Sequence, residues 1–207
     1  MPPLTPTDAE TFARCIRVGG VAVFPADTVY GLACEPSDKE AVRRLYALKG
    51  RVPDKPAAVM FFQPDLALAA LPELGGRTRE AVLALLPAAV TLLLPNPAHR
   101  FPLACGPDPG TLGLRVPAFP PALQALKAVA WPVLQSSANL AGGPDARTVD
   151  AVPAAIRREA DLVLDGGPLP GTPSTVVDLR GYEETGTWTI VRHGAAPEHW
   201  ISSQLAA

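Results

Sequence analysis

Residues 37–56 read Ser-Asp-Lys-Glu-Ala-Val-Arg-Arg-Leu-Tyr-Ala-Leu-Lys-Gly-Arg-Val-Pro-Asp-Lys-Pro. Ser37 is placed to cap a helix, with Glu40 three residues on completing a capping box. Ala41, Val42, Leu45 and Leu48 recur at helical spacing, and Gly50 is a natural C-terminal stop. Lys49, Arg51 and Lys55 therefore leave the helix on its exit loop, which Pro53 and Pro56 stiffen. Fixed cations on a stiff loop suit a polyphosphate, because negative charge is stabilised by groups that need not reorganise. A solvated charge cluster on a surface turn is the plainer reading of the same residues.

Working outward, the periodicity alternates between strands and helices. Residues 7–18 read as a helix with Thr7 and Glu10 as its capping box, and 21–24 as a short strand ended by Pro25. Residues 57–62 form the next strand, 78–86 a helix, and 90–94 an apolar run suited to a central strand. Strands follow at 112–116, 133–136 and 162–164, with helices at 120–129 and 148–158. Residues 175–179 and 187–192, joined by a polar turn over 181–186, read as an antiparallel pair. Residues 197–207 form a short helix or a frayed tail. The pattern predicts a single α/β domain over 1–207, with a core of about 7–195 and a twisted mixed sheet with flanking helices.

Composition excludes several classes. The chain has 207 residues, 48% hydrophobic and 18% charged, which is globular rather than disordered. No apolar run approaches the roughly 20 residues of a membrane span, and the first residues lack a signal-peptide pattern, so a soluble cytoplasmic protein is expected. A formal net charge of −2 argues against a surface devoted to nucleic acid, although a local basic cavity and weak direct RNA binding fit it. Cys15, Cys34 and Cys105 give no metal spacing and read as small buried residues of a reducing compartment. His99, His193 and His199 form no metal motif, so no metal site is expected in the protein itself.

Standard nucleotide-cradling loops, GxxxxGK[ST] and GxGxxG, are missing. Polar groups instead recur at strand ends. Asp27 and Thr28 follow the first strand, Thr111 opens the strand that carries Arg115, Ser137 and Asn139 end another, Ser174 starts one, and Arg192 closes the last. Individually, Asp27 and Asn139 could form Asx turns, Ser137 could cap a loop, and Thr28 and Ser174 could be turn hydroxyls. Arg115 lies in an apolar strand and must meet an anion or a buried carboxylate. In an open α/β sheet such strand ends converge on one crevice.

Six ordered segments, PADTVYGL, KGRVPDKP, TLGLRVP, SSANLAGGPDARTVD, STVVD and VRHGA, together resemble the YrdC family of L-threonylcarbamoyladenylate synthases. Its Lys-x-Arg and Ser-x-Asn hallmarks appear as Lys49-Gly50-Arg51 and Ser137-Ala138-Asn139, and the likeness spans roughly residues 7 to 195 in the short single-domain form. The resemblance implies a sheet curled around a large positively charged cavity. It implies reaction of L-threonine, bicarbonate and ATP (with Mg²⁺ arriving on the nucleotide and no tightly bound cofactor) to threonylcarbamoyl-AMP and pyrophosphate. A downstream transferase would then modify adenosine in tRNA. By matching position, Thr28, Arg115, Ser137 and Ser174 would hold L-threonine. Arg51, Lys55, Thr111, Asn139, Arg147 and Arg192 would contact ATP, and Lys49 with Arg51 would stabilise phosphate charge. Relatives commonly carry Thr where this chain has Ala26 and His where it has Met60. Two other readings are a non-enzymatic RNA-binding module and a carbamoyl-adenylate-forming transferase of another pathway.

Overall fold

The first two helices begin where a side chain accepts from their free N–H groups. In the computed structural model, which describes residues 3–52 and 54–206, α1 (Pro6–Arg17) starts earlier than its sequence suggests. Thr5 is the N-cap: its Oγ accepts from Asp8 N at 3.2 Å, and the Asp8 carboxylate accepts from Thr5 N at 2.7 Å. Thr7 and Glu10 are thus not the capping box. Pro6 fills the first helical position, where a missing N–H costs nothing. After β1 (Ala22–Pro25) the chain turns straight into β2 (Tyr30–Cys34), a strand that its polar approach, Asp27-Thr28, conceals in the sequence.

The cap of α2 (Lys39–Leu48) is Asp38 rather than Ser37; Asp38 Oδ1 accepts from Glu40 N at 2.9 Å and Ala41 N at 3.1 Å. A carboxylate there also meets the positive end of the helix dipole, which a serine hydroxyl does not. The predicted stop holds. Gly50 has φ +56°, Gly50 N donates to Ala47 O, and Arg51 N donates to Tyr46 O, each at 3.0 Å. That is a Schellman ending, and it turns Arg51 back toward the sheet. Pro53, read as a stiffener of this loop, lies outside the described residues.

The remaining elements are β3 (Ala58–Met60), α3 (Pro64–Ala70), α4 (Gly76–Leu85), β4 (Val90–Pro95), β5 (Thr111–Arg115), β6 (Val133–Ser137), α5 (Ala154–Glu159), β7 (Leu162–Val163), β8 (Thr175–Asp178), α6 (Tyr182–Thr185), β9 (Thr189–Arg192) and α7 (Glu198–Leu205). Two expected α-helices are altered. Residues Pro121–Ala128 form a 3₁₀ helix, whose buried Leu123 and Leu126 match its three-residue repeat. The predicted helix over 148–158 is broken into a 3₁₀ turn, Val149–Ala151, and α5, because Pro153 cannot continue the hydrogen-bond ladder. The turn over 181–186 contains α6, and residues 198–205 are a helix whose Ile201 is fully buried.

Among the described residues, nine strands form one mixed sheet in the order β7-β1-β2-β6-β3-β5-β4-β8-β9. The pairs β1–β7, β3–β5 and β4–β8 are parallel and the others antiparallel, including the expected β8–β9 pair. Phe12 of α1 packs on Phe24 and Phe62 with ring centroids 5.1 and 5.8 Å apart, and Phe62 stacks on Phe119 at 6.0 Å. This aromatic group ties α1 to β1 and to the segments after β3 and β5. It makes the β-strands a rigid support for what their other face carries.

Candidate active site

The period-two alternation of three adjacent strands builds one wall. β4 buries Val90, Leu92 and Leu94 and turns Thr91 and Leu93 to the opposite face. β5 buries Leu112 and Leu114, so Thr111, Gly113 and Arg115 share the face of Thr91. The apolar run over 90–94 is therefore central in the sheet but not dry on both sides. With Ser137 of β6, Ser174 just before β8 and Arg192 of β9, these residues line a cavity of about 380 Å³, within the size range of small-molecule sites.

Six of the sequence-predicted residues meet on this wall: Arg51, Thr111, Arg115, Ser137, Ser174 and Arg192. Asp108 and Asp145 also line it beside the three arginines. Thr28 stands behind the wall, its Oγ1 accepting from Arg115 Nη2 at 2.6 Å. Lys49, Lys55, Asn139 and Arg147 are not on it. Lys55 is exposed. Arg147 is exposed too, and its Nε donates to Leu169 O at 3.3 Å. Asn139 and Lys49 are buried beneath the Ser137 turn.

Arg115 is held through a single nitrogen. Its Nη2 donates to the Asp27 carboxylate as well as to Thr28, while its Nε is buried without a partner. Asp27 is fixed in turn, because its Oδ2 accepts from Ala118 N at 3.1 Å. The carboxylate that a buried arginine demands is thus Asp27, and the same residue lines the cavity as Arg115. Arg51 donates to Ser136 Oγ at 3.1 Å and to Pro56 O at 2.5 Å, lies 5.6 Å from the Tyr46 ring centroid, and also keeps a buried Nε unpartnered. Arg192 Nη2 donates to Ser174 O at 2.7 Å and reaches Ser174 Oγ at 3.3 Å. Burial pulls its pKa down, Asp145 opposes that, and Arg115 adds to it. Ser174 Oγ is also 2.8 Å from Thr91 Oγ1.

Sequence reasoning missed Thr91, Asp108, Gln135 and Asp145 on the wall. A lone hydroxyl in the run Val-Thr-Leu-Leu-Leu was the signal available for Thr91; the carboxylates carried none. Met60 is fully buried and paired in register with Arg115, so it supports the strand under the wall. Among the described residues no three His, Cys, Asp or Glu side chains gather into a metal-binding cluster, and no helix is long and apolar enough to cross a membrane.

Residues 14–194 match the Sua5/YciO/YrdC family, described as telomere recombination. The chain is 36% identical over 169 residues to the threonylcarbamoyl-AMP synthase of Xanthomonas campestris pv. campestris (strain B100), covering 79% of this chain and 88% of that protein. Sua5 of P. abyssi in complex with L-threonine superposes with a TM-score of 0.83 at 26% identity, over 97% of this chain and 58% of that longer one. YciO of E. coli, at 23% identity and a TM-score of 0.76 over 97% of this chain and 95% of its own, shares the fold. A match across nearly the whole sheet and its wall leaves one assignment: the chain belongs to the Sua5/YciO/YrdC family.

Proposed function

We propose that this protein is an L-threonylcarbamoyladenylate synthase, which joins L-threonine, bicarbonate or its carbon dioxide, and ATP, and releases pyrophosphate. The observation that carries the reading is Arg115, whose Nη2 is fixed by Asp27 and Thr28 while the residue lines the cavity. An amino-acid carboxylate is a ligand that such a fixed cation suits. Two likenesses support it: a relative of 36% identity bears the name of this synthase, and a structural relative was solved with L-threonine.

Arg115, steadied from behind by Thr28, clamps the threonine carboxylate, and Ser137 and Ser174 orient its amine and hydroxyl. The amine captures carbon dioxide, losing a proton, to give a carbamate. A carbamate oxygen then attacks the α-phosphorus of ATP; the new bond is O–P, and the bond to pyrophosphate breaks. Free carbamates decompose readily, so holding the intermediate beside the nucleotide is a large part of the task. Arg51 and Arg192 offset charge that spreads over the phosphates. Thr111 reaches ATP only on exchanging a bond, since its hydroxyl donates to Asp108 Oδ2 at 2.6 Å. Lys55, Asn139 and Arg147 lie off the wall and would contact ATP only at its margin or after a rearrangement. Mg²⁺ would enter on ATP and keep most of its waters. The product, a reactive mixed anhydride, requires a cytoplasmic transferase that passes the threonylcarbamoyl group to tRNA.

Incubating the protein with ATP, bicarbonate and each amino acid in turn, with mass spectrometry of the products, tests the proposal. Threonine should give a threonylcarbamoyl adenylate in excess over every other amino acid. AMP-free, pyrophosphate-free mixtures with threonine would overturn it.

A further inference from the structure

Lys49 is a buried cation, 2% exposed, at the C-cap of α2 and behind the cavity wall. Its Nζ donates to three oxygens of one short turn: Ser137 O, Asn139 O at 2.9 Å and Asn139 Oδ1 at 2.8 Å. An ammonium has three N–H donors and no acceptor, so these contacts use all of them. They also settle which way the Asn139 amide faces. Its oxygen points to Lys49, and its Nδ2 donates to Gly143 O at 2.7 Å and lies 3.4 Å from Asp145 Oδ1.

Ser137 follows from that choice. Its Oγ is 2.7 Å from Asn139 Oδ1, and because Oδ1 has no hydrogen, the serine must be the donor. The single proton of the Ser137 hydroxyl is therefore spent inside the turn. Toward the cavity, which it lines, Ser137 offers lone pairs alone. Such a group receives an N–H of an amine or carbamate and repels a phosphate oxygen.

We infer that Lys49 is a positioning residue rather than a phosphate contact, acting through Asn139 to set the Ser137 hydroxyl as an acceptor for the substrate amine. This rests on the synthase reading above. The charged state of Lys49 matters, since a neutral amine has two N–H groups for three acceptors. Burial brings its pKa down to about 8, the positive charge of Arg51 pushes the same way, and Asp145 opposes both. The other groups facing it, Ser137 and Asn139, are neutral.

A double-mutant cycle with Lys49→Met and Ser137→Ala tests the inference. Lys49→Met should raise the threonine KM at least tenfold, leave the ATP dissociation constant within twofold, and add less than twofold in the Ser137→Ala background. A tenfold loss of ATP affinity, or effects that multiply, would overturn it. Should Lys49→Met fail to fold, the wild-type protein still decides. Its ATP dissociation constant should change less than twofold from pH 7 to 9, whereas a phosphate contact losing its proton near pH 8 would weaken ATP binding by more than that. Wild-type protein that makes no adenylate sinks the synthase reading; active protein with a multiplicative cycle sinks only the role given to Lys49.

Discussion

Arg115 of β5 and Asp27 of the β1–β2 turn, 88 residues apart, form an ion pair in which 4% and 5% of the side-chain surfaces remain exposed. One carboxylate oxygen takes the guanidinium and the other takes Ala118 N. The pair therefore aims Arg115 while it ties the β1–β2 turn to β5.

Breaking that pair from the carboxylate side should be costly in two ways. Asp27→Ala leaves a buried cation without its partner and should lose about 3–5 kcal/mol of stability. Asp27→Asn keeps an acceptor for Ala118 N and should cost less, yet still raise the threonine dissociation constant about tenfold. Urea unfolding and calorimetric titration check the two effects. Unchanged threonine affinity in Asp27→Asn would mean that Arg115 does not depend on this carboxylate for its aim.

Arg51 sits on the loop rather than in the sheet, half-buried, with its guanidinium at the cavity wall. Arg51→Ala should slow adenylate formation more than tenfold while the unfolding midpoint stays close to that of the parent. Wild-type rates in this variant would remove the cationic loop from the chemistry.

Burial pushes the Cys34 thiol up to about 12, with Asp38 and Glu35 reinforcing the shift. The native thiol thus holds its proton more tightly than the unfolded one, whose ordinary value is near 9. Its stabilising contribution is complete below pH 9 and is lost as pH rises from there toward 12. Urea midpoints at pH 8 and pH 10 should fall less in Cys34→Ala than in the parent. An equal fall would show that other groups govern the alkaline loss.

Phe12 is fully buried between Phe24 and Phe62. Phe12→Ala should destabilise the fold by about 3–5 kcal/mol and leave the threonine KM of the folded fraction unchanged. A specific loss of threonine affinity would mean that this core reaches the site.

Much of the sheet was legible because strands such as 90–94 and 112–116 are apolar runs bounded by prolines and polar turns. β2 was not, because its approach, Asp27-Thr28, reads as part of a turn. Thr7 fits the capping-box spacing as well as Thr5 does, and Ser37 with Glu40 fits it where Asp38 with Ala41 does not, so spacing alone points away from the carboxylate that caps α2. In the site, Arg115 announced itself as a charge in an apolar strand, Ser137, Ser174 and Arg192 as polar groups at strand ends, and Arg51 as a cation on the exit loop of a helix. Lys49 carried the same signal but folds behind the wall, since the Schellman turn at Gly50 sends consecutive cations to opposite sides. Thr91 became visible only when strand register placed it beside Ser174, and Asp145 only when the loop after β6 brought it to the wall with Arg192.

Exchange of labelled pyrophosphate into ATP tests the central claim most directly, because it reports reversible adenylate formation at this cavity. Label should enter ATP only when L-threonine and bicarbonate are both present, and Arg115→Ala should abolish the dependence on threonine at ordinary concentrations. Exchange that proceeds without threonine, or none at all with the full mixture, would contradict the account.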